Sequence, residues 1–422
     1  MKDEKKGLVP ALRFPEFREA GEWTTRKLEQ VAELLTEKAG NRKFTLMSVT
    51  AGIGLVSQLE KFGREIAGAQ YKNYFVIRNN DFAYNKSATK DYPEGFVALY
   101  EGDAQAAVPN SIFTCFRVET DEVIPRFLNY QFMNNLHGRW LRKFITIGAR
   151  AHGSLNIDNK DLLALPVPMP MVDSAIQEQQ KIADCLSSLD ALIAAQADKI
   201  DALKTHKKGL MQQLFPREGE TVPRLRFPEF RNAGEWEEIA LGQIVDIRSG
   251  YSPSRYNLLD EAQHPFLKVE DLNNCEKYQT RSREYSDDSL GVVPARSIIF
   301  PKRGAAILNN KIRLNTLAVL MDTNLMAITP RKNVLAEFLY CIVVNEGLSK
   351  IADTSTIPQI NNKHITPYVV RIPDKVEQQA ISDCLSSLDT LITAHTEKLE
   401  ALKSHKKGLM QQLFPSPEVV ST

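Results

Sequence analysis

The sequence predicts an α+β protein with a pseudo-twofold internal repeat: two mixed α/β domains separated by a long antiparallel two-helix coiled coil. Three observations carry that prediction. The run HKKGLMQQLFP occurs at 206–216 and again, letter for letter, at 405–415, and VPALRFPEFREAGEW from Val9 returns as VPRLRFPEFRNAGEW from Val222. Each HKKGLMQQLFP copy ends a sustained heptad pattern. Between the repeated ends, short β-rich runs alternate with helical ones.

The helices follow from the heptads. From Glu178 to Pro216 and from Glu377 to Pro415 the copies are identical at about three-quarters of positions. In the first, Ile182, Leu186, Leu189, Ile193, Ile200, Leu203, Leu210 and Leu214 step by three and four residues, with Gln196 and Lys207 completing the series. In the second the series is Ile381, Leu385, Leu388, Ile392, Leu399, Leu402, Leu409 and Leu413, with His395 and Lys406. Such stepping marks a coiled-coil seam. Neither pattern meets Pro or Gly until Gly209 and Gly408, and Phe-Pro then stops each helix. A globular stretch joins the end of the first helix to the start of the second. An antiparallel pair therefore needs only that this stretch's two termini lie close together. Gln196 and His395 either set the register of the pair or face a wet gap.

The predicted organisation is an extension at 1–8, a first domain at 9–173, a spacer helix at 174–215, a linker at 216–221, a second domain at 222–374, a second spacer helix at 375–415 and a tail at 416–422. The C-terminal repeats are offset by 199 residues and the N-terminal ones by 213, so the second copy is fourteen residues shorter in its middle. The two middles share little sequence. YFVIRNNDFAY, SIFTCFRV, RSIIFP and LAVLM read as strands, and PRFLNYQFMNNLHGRWLRKF as helix. Constant ends around changed middles suit one scaffold carrying two heads for different targets.

Composition agrees with a folded, soluble chain: 43% hydrophobic, 25% charged, net charge +1. No apolar run approaches the roughly 20 residues of a membrane span, and MKDEKKGLVP lacks the apolar core of a signal peptide, so a cytoplasmic location is expected. The five cysteines are scattered without metal-ligand spacing, and Cys185 and Cys384 read as reduced, buried small side chains.

Enzymatic motifs are missing. There is no GxxxxGK[ST] loop and no strand-linked GxGxxG; Asn79–Phe82 lacks the prolines of an amino-methyltransferase loop; Asp158-Asn159-Lys160 reads as an ordinary turn. No catalytic residue and no metal ligand set is assigned. The middles do carry basic and amide side chains suited to nucleic acid. The first supplies Lys86, Arg139, Arg142, Lys143, Arg150, His152, Ser154 and Asn156. The second supplies Arg248, Tyr251, Ser252, Ser254, Arg255, Lys302, Arg303, Asn309, Asn310, Lys311, Arg313, Gln359, Asn361, Asn362 and Lys363. Arg and Lys neutralise phosphates, Arg reads guanine, and Asn or Gln reads adenine in the major groove. Any one of these residues alone is equally consistent with a solvated surface.

The duplicated EQQKIADCLSSLDALI and EQQAISDCLSSLDTLI, both HKKGLMQQLFP copies, the GEW openings and IPQINNKHITPYVVRIPDKVEQQ make the chain resemble the DNA specificity subunits of type I restriction-modification systems over essentially its whole length. In the first copy GSLNIDNKDLLALPVPMPMVDSAIQEQQ departs from the Pro-Gln-Ile-Asn wording. The resemblance implies two target-recognition domains, each reading half of a bipartite site in double-stranded DNA. It implies no catalysis and no cofactor on this chain. Two modification (methyltransferase) subunits would bring S-adenosylmethionine, and restriction subunits would bring ATP and magnesium. A two-headed scaffold that binds proteins instead of DNA is the alternative. The identity of the HKKGLMQQLFP copies suggests two equivalent docking surfaces for one partner; recent duplication or gene conversion produces the same identity.

Overall fold

The computed structural model describes residues 8–65, 69–119, 121–145, 155–171, 175–355 and 357–415. They form two units, Met1–Ala197 with Lys398–Thr422, and Asp198–Glu397. Two long helices, Ala175–Leu214 and Lys375–Leu413, are each divided between the units.

In the first unit the start of the first long helix lies antiparallel to the end of the second. Ile182, Ala183 and Leu186 pack with Met410, Leu413 and Phe414, and Asp190 takes Lys406 at 2.6 Å. The second unit repeats this with the roles exchanged: Ile381 and Leu385 share a core with Met211, Leu214 and Phe215, and Asp389 meets Lys207. Ile182, Leu186, Ile200, Leu214, Ile381, Leu385, Ile392 and Leu413 are buried; Leu189, Ile193, Leu203, Leu210, Leu388, Leu399, Leu402 and Leu409 are half-buried. Met211 and Met410, outside the heptad series, are buried as well. Cys185 and Cys384 are half-buried free thiols.

Each HKKGLMQQLFP end thus sits against the other copy's helix start, in a socket made of repeated residues. The Leu12 amide donates to Gln412 O at 2.9 Å, and the Leu225 amide to Gln213 O at 3.0 Å. Phe414 joins Trp23 and Phe127 in an aromatic trio with centroids 5.5–6.4 Å apart. Phe215 joins Trp236 and Phe338 at 5.5–6.0 Å. From each RFPEF motif an arginine reaches a buried glutamate of the helix start. Arg13 meets Glu178 through two bonds of 2.7 Å, and Arg226 meets Glu377 through bonds of 2.8 and 2.7 Å. The neighbouring Gln179 and Gln378 accept the amides of Ile124 and Leu335 at 2.9 and 3.0 Å. Those residues begin the helices Pro125–Met133 and Ala336–Glu346, whose first amides have no partner within the helix. Identical sockets explain part of the repeated run: Lys207 and Lys406 are ion-pair partners within the packed helices, while Lys208 and Lys407 are exposed.

The heads share a strand order that their sequences hide. In both units a two-stranded ribbon brings the head's ends together, Thr24–Lys27 against Pro166–Met169 and Glu237–Ala240 against Val369–Ile372, each antiparallel. The first head's main sheet runs Ala32–Leu34, Phe113–Val118, Asp81–Asn85, Phe96–Leu99; the second's runs Val245–Ser249, Leu325–Pro330, Ile298–Pro301, Arg313–Asn315, with Tyr278–Gln279 added at the edge. The smaller sheets also correspond. Thr45–Thr50 lies parallel to Ala106–Val108 and antiparallel to Gly54–Ser57, as His264–Leu267 lies parallel to Leu320–Met321 and antiparallel to Glu284–Ser286. Phe82, Phe116, Leu128 and Leu141 centre one first-head core; Phe300, Ile328, Phe338 and Leu339 centre the second head's.

One buried histidine makes the first unit pH-sensitive. His137 is 2% exposed, and its Nε2 donates to Gly95 O at 3.2 Å. Burial pushes its pKa down from 6.5 to about 4. The neutral ring's contribution is whole above about pH 6.5 and is lost as pH falls toward 4, because the unfolded chain takes up a proton that the folded one refuses. The loss amounts to about 3 kcal/mol. Thermal unfolding followed from pH 7 to pH 4 is expected to show a fall in midpoint that is shallower in His137→Gln.

Candidate nucleic-acid interface

The central strands of the two heads end at equivalent lysines. Asp81–Asn85 leads into Lys86, whose amide donates to Ile112 O at 3.0 Å and whose carbonyl accepts the Leu155 amide at 2.7 Å. Ile298–Pro301 leads into Lys302, whose amide donates to Asn324 O at 2.7 Å and whose carbonyl accepts the Ile360 amide at 2.9 Å. The segments that cross these strand ends are LNIDNK and INNK. The structure therefore equates Leu155-Asn156 with Ile360-Asn361, an equivalence that the wording of the first copy conceals.

Around Lys302 several chain segments converge. Arg303 bridges Gln359, and the Gly304 amide donates to Pro358 O at 2.9 Å. Asn361 precedes the short helix Asn362–Ile365, its amide donating to His364 Nδ1 at 3.2 Å, while Asn362 and Lys363 are exposed. The turn at Asp322–Asn324, which holds the Lys302 amide, also holds the loop after Val245–Ser249. The Tyr251 amide donates to Met321 O at 2.9 Å, and a Cβ on Gly250 would lie 1.9 Å from Asp322 O, so only glycine fits there. On this loop Ser252 and Ser254 hydroxyls lie 2.8 Å apart and the Arg255 guanidinium sits 5.6 Å over the Tyr251 ring. Arg248 donates to Val292 O at 2.7 Å. Lys302, Arg303, Gln359, Asn361, Asn362, Lys363 and the Tyr251–Arg255 loop thus belong to one end of the second head.

Asn310, Lys311 and Arg313 make hydrogen bonds within the head. The Asn310 side chain donates to Val344 O at 3.1 Å and accepts the Leu348 amide at 2.9 Å, bracing the end of one helix against the next. Lys311 bonds Asn273, and half-buried Arg313 donates to Ile312 O at 2.7 Å. Asn309 is exposed beside them.

In the first head Lys86 is half-buried and its ammonium donates to Ile157 O at 2.9 Å and Asn159 Oδ1 at 3.1 Å. Burial lowers its pKa, opposed by the charge of Asp158. It lines a pocket of about 370 Å³ with Thr36, Lys38, Asn110 and Asn159. Asn156 is exposed. Arg139 instead lines a separate groove of about 510 Å³ with Asn134, Asp190 and Lys406, on the long-helix side. Arg142 holds buried Glu94 through an Nε bond of 2.8 Å, and Lys143 lies 4.9 Å over the Trp140 ring. Arg150, His152 and Ser154 lie outside the described residues. Sequence reasoning missed Lys38, Asn110 and Asn159; Asn159 stood in a run dismissed as a turn, and only the equivalence with INNK would have flagged it.

At these strand ends ammonium and guanidinium groups can meet phosphates while amides and hydroxyls face base edges. A model of the type I restriction modification DNA specificity domain matches residues 20–205 and 233–404. The type I restriction enzyme MjaVIII specificity subunit of Methanocaldococcus jannaschii is 24% identical over 288 residues, 64% of this chain and 66% of that protein. A chain from a solved type I R-M system assembly superposes with a TM-score of 0.60 at 16% identity, over 94% of this chain and 98% of its own. The S subunit of the type I restriction-modification system from M. genitalium superposes with a TM-score of 0.54 at 17% identity, over 97% and 100%. These likenesses at low identity concern the fold.

Proposed function

This chain belongs to the family of type I restriction-modification DNA specificity subunits, which makes it a non-catalytic member of such a system, and from that premise we propose that it reads a bipartite, asymmetric site in double-stranded DNA with one head per half-site. One observation carries the reading: the two heads share a strand order and a lysine at the same strand end, while the side chains around those lysines differ. A common frame with different polar surfaces suits two unequal half-sites. A helix of 40 residues is about 60 Å long, against 34–36 Å per DNA turn, so the paired helices, acting as an antiparallel coiled coil, are long enough to set the gap between half-sites.

The same helices scaffold two adenine-methyltransferase subunits, and restriction subunits join that assembly. S-adenosylmethionine, ATP and magnesium belong to those partners, and the complex works in the cytoplasm, with the DNA. Leu192 and Leu391 support the docking reading. They occupy equivalent positions of the two repeats and are 56% and 47% exposed in the midst of otherwise amphipathic helices. Single exposed leucines are ordinary; a repeated one matches a partner that binds twice. Leu192→Glu and Leu391→Glu are each expected to reduce the methyltransferase stoichiometry from two to one by native mass spectrometry, and together to zero. Unchanged stoichiometry in the double variant would place the docking surface elsewhere.

A further inference from the structure

Asn159 is held with only one kind of hydrogen-bonding atom available. Its Oδ1 takes the Lys86 ammonium at 3.1 Å and the Thr114 hydroxyl at 2.8 Å. An ammonium can only donate, so the atom facing Lys86 must be the oxygen. That sets the orientation of the amide. Both Oδ1 lone pairs are then occupied, and the amide nitrogen, which makes no hydrogen bond among the described residues, is left with two donors. The residue is exposed and lines the pocket at the end of the first head's central strand, beside Lys38 and Asn110. Thr114 lies on the neighbouring strand Phe113–Val118, and Lys86 is anchored a second time by Ile157 O at 2.9 Å, so the amide is fixed from two elements.

We infer that Asn159 is a specificity-determining residue of the first head, a donor-only amide that rejects cytosine at one position of its half-site. The inference rests on the DNA-reading proposal above. An unrestrained asparagine reads adenine by giving Nδ2–H to N7 and taking N6–H at Oδ1. Asn159 cannot do so, because Lys86 and Thr114 occupy Oδ1. In the major groove guanine N7 and O6, adenine N7 and thymine O4 accept, whereas cytosine presents only its N4 donor. A fixed amine therefore finds an acceptor at the first three bases and leaves its own donor facing another donor at cytosine. The second head has no such latch: Asn362 begins the corresponding short helix, and no hydrogen bond among the described residues joins it to the Lys302 ammonium.

The test is Asn159→Asp in the full chain assembled with its partner subunits, with bound duplexes recovered from a randomised DNA pool and sequenced. Aspartate keeps an oxygen for Lys86 and Thr114, so the latch and the fold persist, while the outward group changes from donor to acceptor. The expected result is a change at one position of one half-site from exclusion of cytosine to preference for cytosine or adenine, whose exocyclic amines donate to the new acceptor, with relative preference changing roughly 10- to 100-fold and the other half-site unaltered. That second half-site reports within the same experiment that the protein is intact. An unchanged first half-site overturns the inference and leaves the DNA-reading proposal standing. Uniform weakening at all sequences makes Asn159 a phosphate contact and also overturns it. A wild-type complex that selects no sequence removes the proposal on which the inference rests.

Discussion

Replacing residues 28–165 with the matching segment of another specificity subunit is expected to change one half of the recognised site and leave the other half intact. The joints for such an exchange are built in. Thr24–Lys27 and Pro166–Met169 are hydrogen-bonded neighbours, so the grafted head enters and leaves through one ribbon. Arg13, Trp23 and Glu178 lie outside the graft, while Phe127, Tyr130 and the Ile124 amide, which meet Phe414, Asp190 and Gln179 of the long helices, lie inside it and must be matched by the donor segment. Affinity for the original half-site should fall to the non-specific level, a loss of about 10³-fold or more. Competition binding with duplexes altered in one half at a time measures this. A chimaera whose two half-sites both changed would mean that the heads are not independent readers.

Glu178→Ala should be the most damaging single substitution outside the apolar core. The carboxylate is 1% and the Arg13 side chain 6% exposed, and the pair is bidentate. Arg13 also donates to Gly21 O at 2.6 Å, which ties the Arg13 loop to the turn before Trp23. Removing the carboxylate strands a buried guanidinium, at a cost of about 3–5 kcal/mol, and lowers the melting temperature of that unit by roughly 10 °C. Glu377→Ala should do the same to the second unit, where Arg226 is left behind. Exposed Arg26 and Glu122 form a contrasting pair, and Glu122→Ala should cost less than about 1 kcal/mol. Scanning calorimetry that found equal losses for Glu178→Ala and Glu122→Ala would contradict this ranking. The double change Arg13→Met with Glu178→Leu should recover much of the loss, because a buried apolar pair needs no compensation for lost hydration.

What could be read in the sequence was the scaffold. LRFPEF, GEW, EQQ and HKKGLMQQLFP repeat because each pair of copies meets the same partners, and side chains under the same constraint keep the same letters. Their partners were not legible. Asp190 meets Lys406 across 216 residues, and nothing local in either helix points to the other. The aromatic trios and the ion pairs account for Phe215, Phe414, Lys207 and Lys406, but not for the identity of the exposed His206, Lys208, Gln212 and Gln213 with His405, Lys407, Gln411 and Gln412. The heptad series missed Met211 and Met410 because the last turns of each helix are wrapped by the socket as well as by the facing helix, which widens the buried face beyond a two-helix seam.

The reading surface was much less visible. Asp81–Asn85, Phe96–Leu99, Phe113–Val118 and Ile298–Pro301 are buried on both faces and carry no alternation, so the shared strand order is hard to read from the two middles. The correspondence of Lys86 with Lys302 depends on backbone hydrogen bonds across segments of unequal length. Basic residues close together in sequence also separate in space: Arg139 faces the long helices while Lys86 lies at a strand end, and Asn310 spends its amide bracing two helices. Composition shows how many cations a surface holds and not which way they face.

The most direct test of the central claim is the map of methylated adenines in the DNA of cells carrying this chain and its methyltransferase partner, compared with cells from which this chain alone is deleted. The account predicts methylation confined to one motif of two unequal blocks separated by a fixed gap, and its disappearance on deletion. A methylation pattern that survives the deletion, or a motif that is one contiguous block, would contradict it.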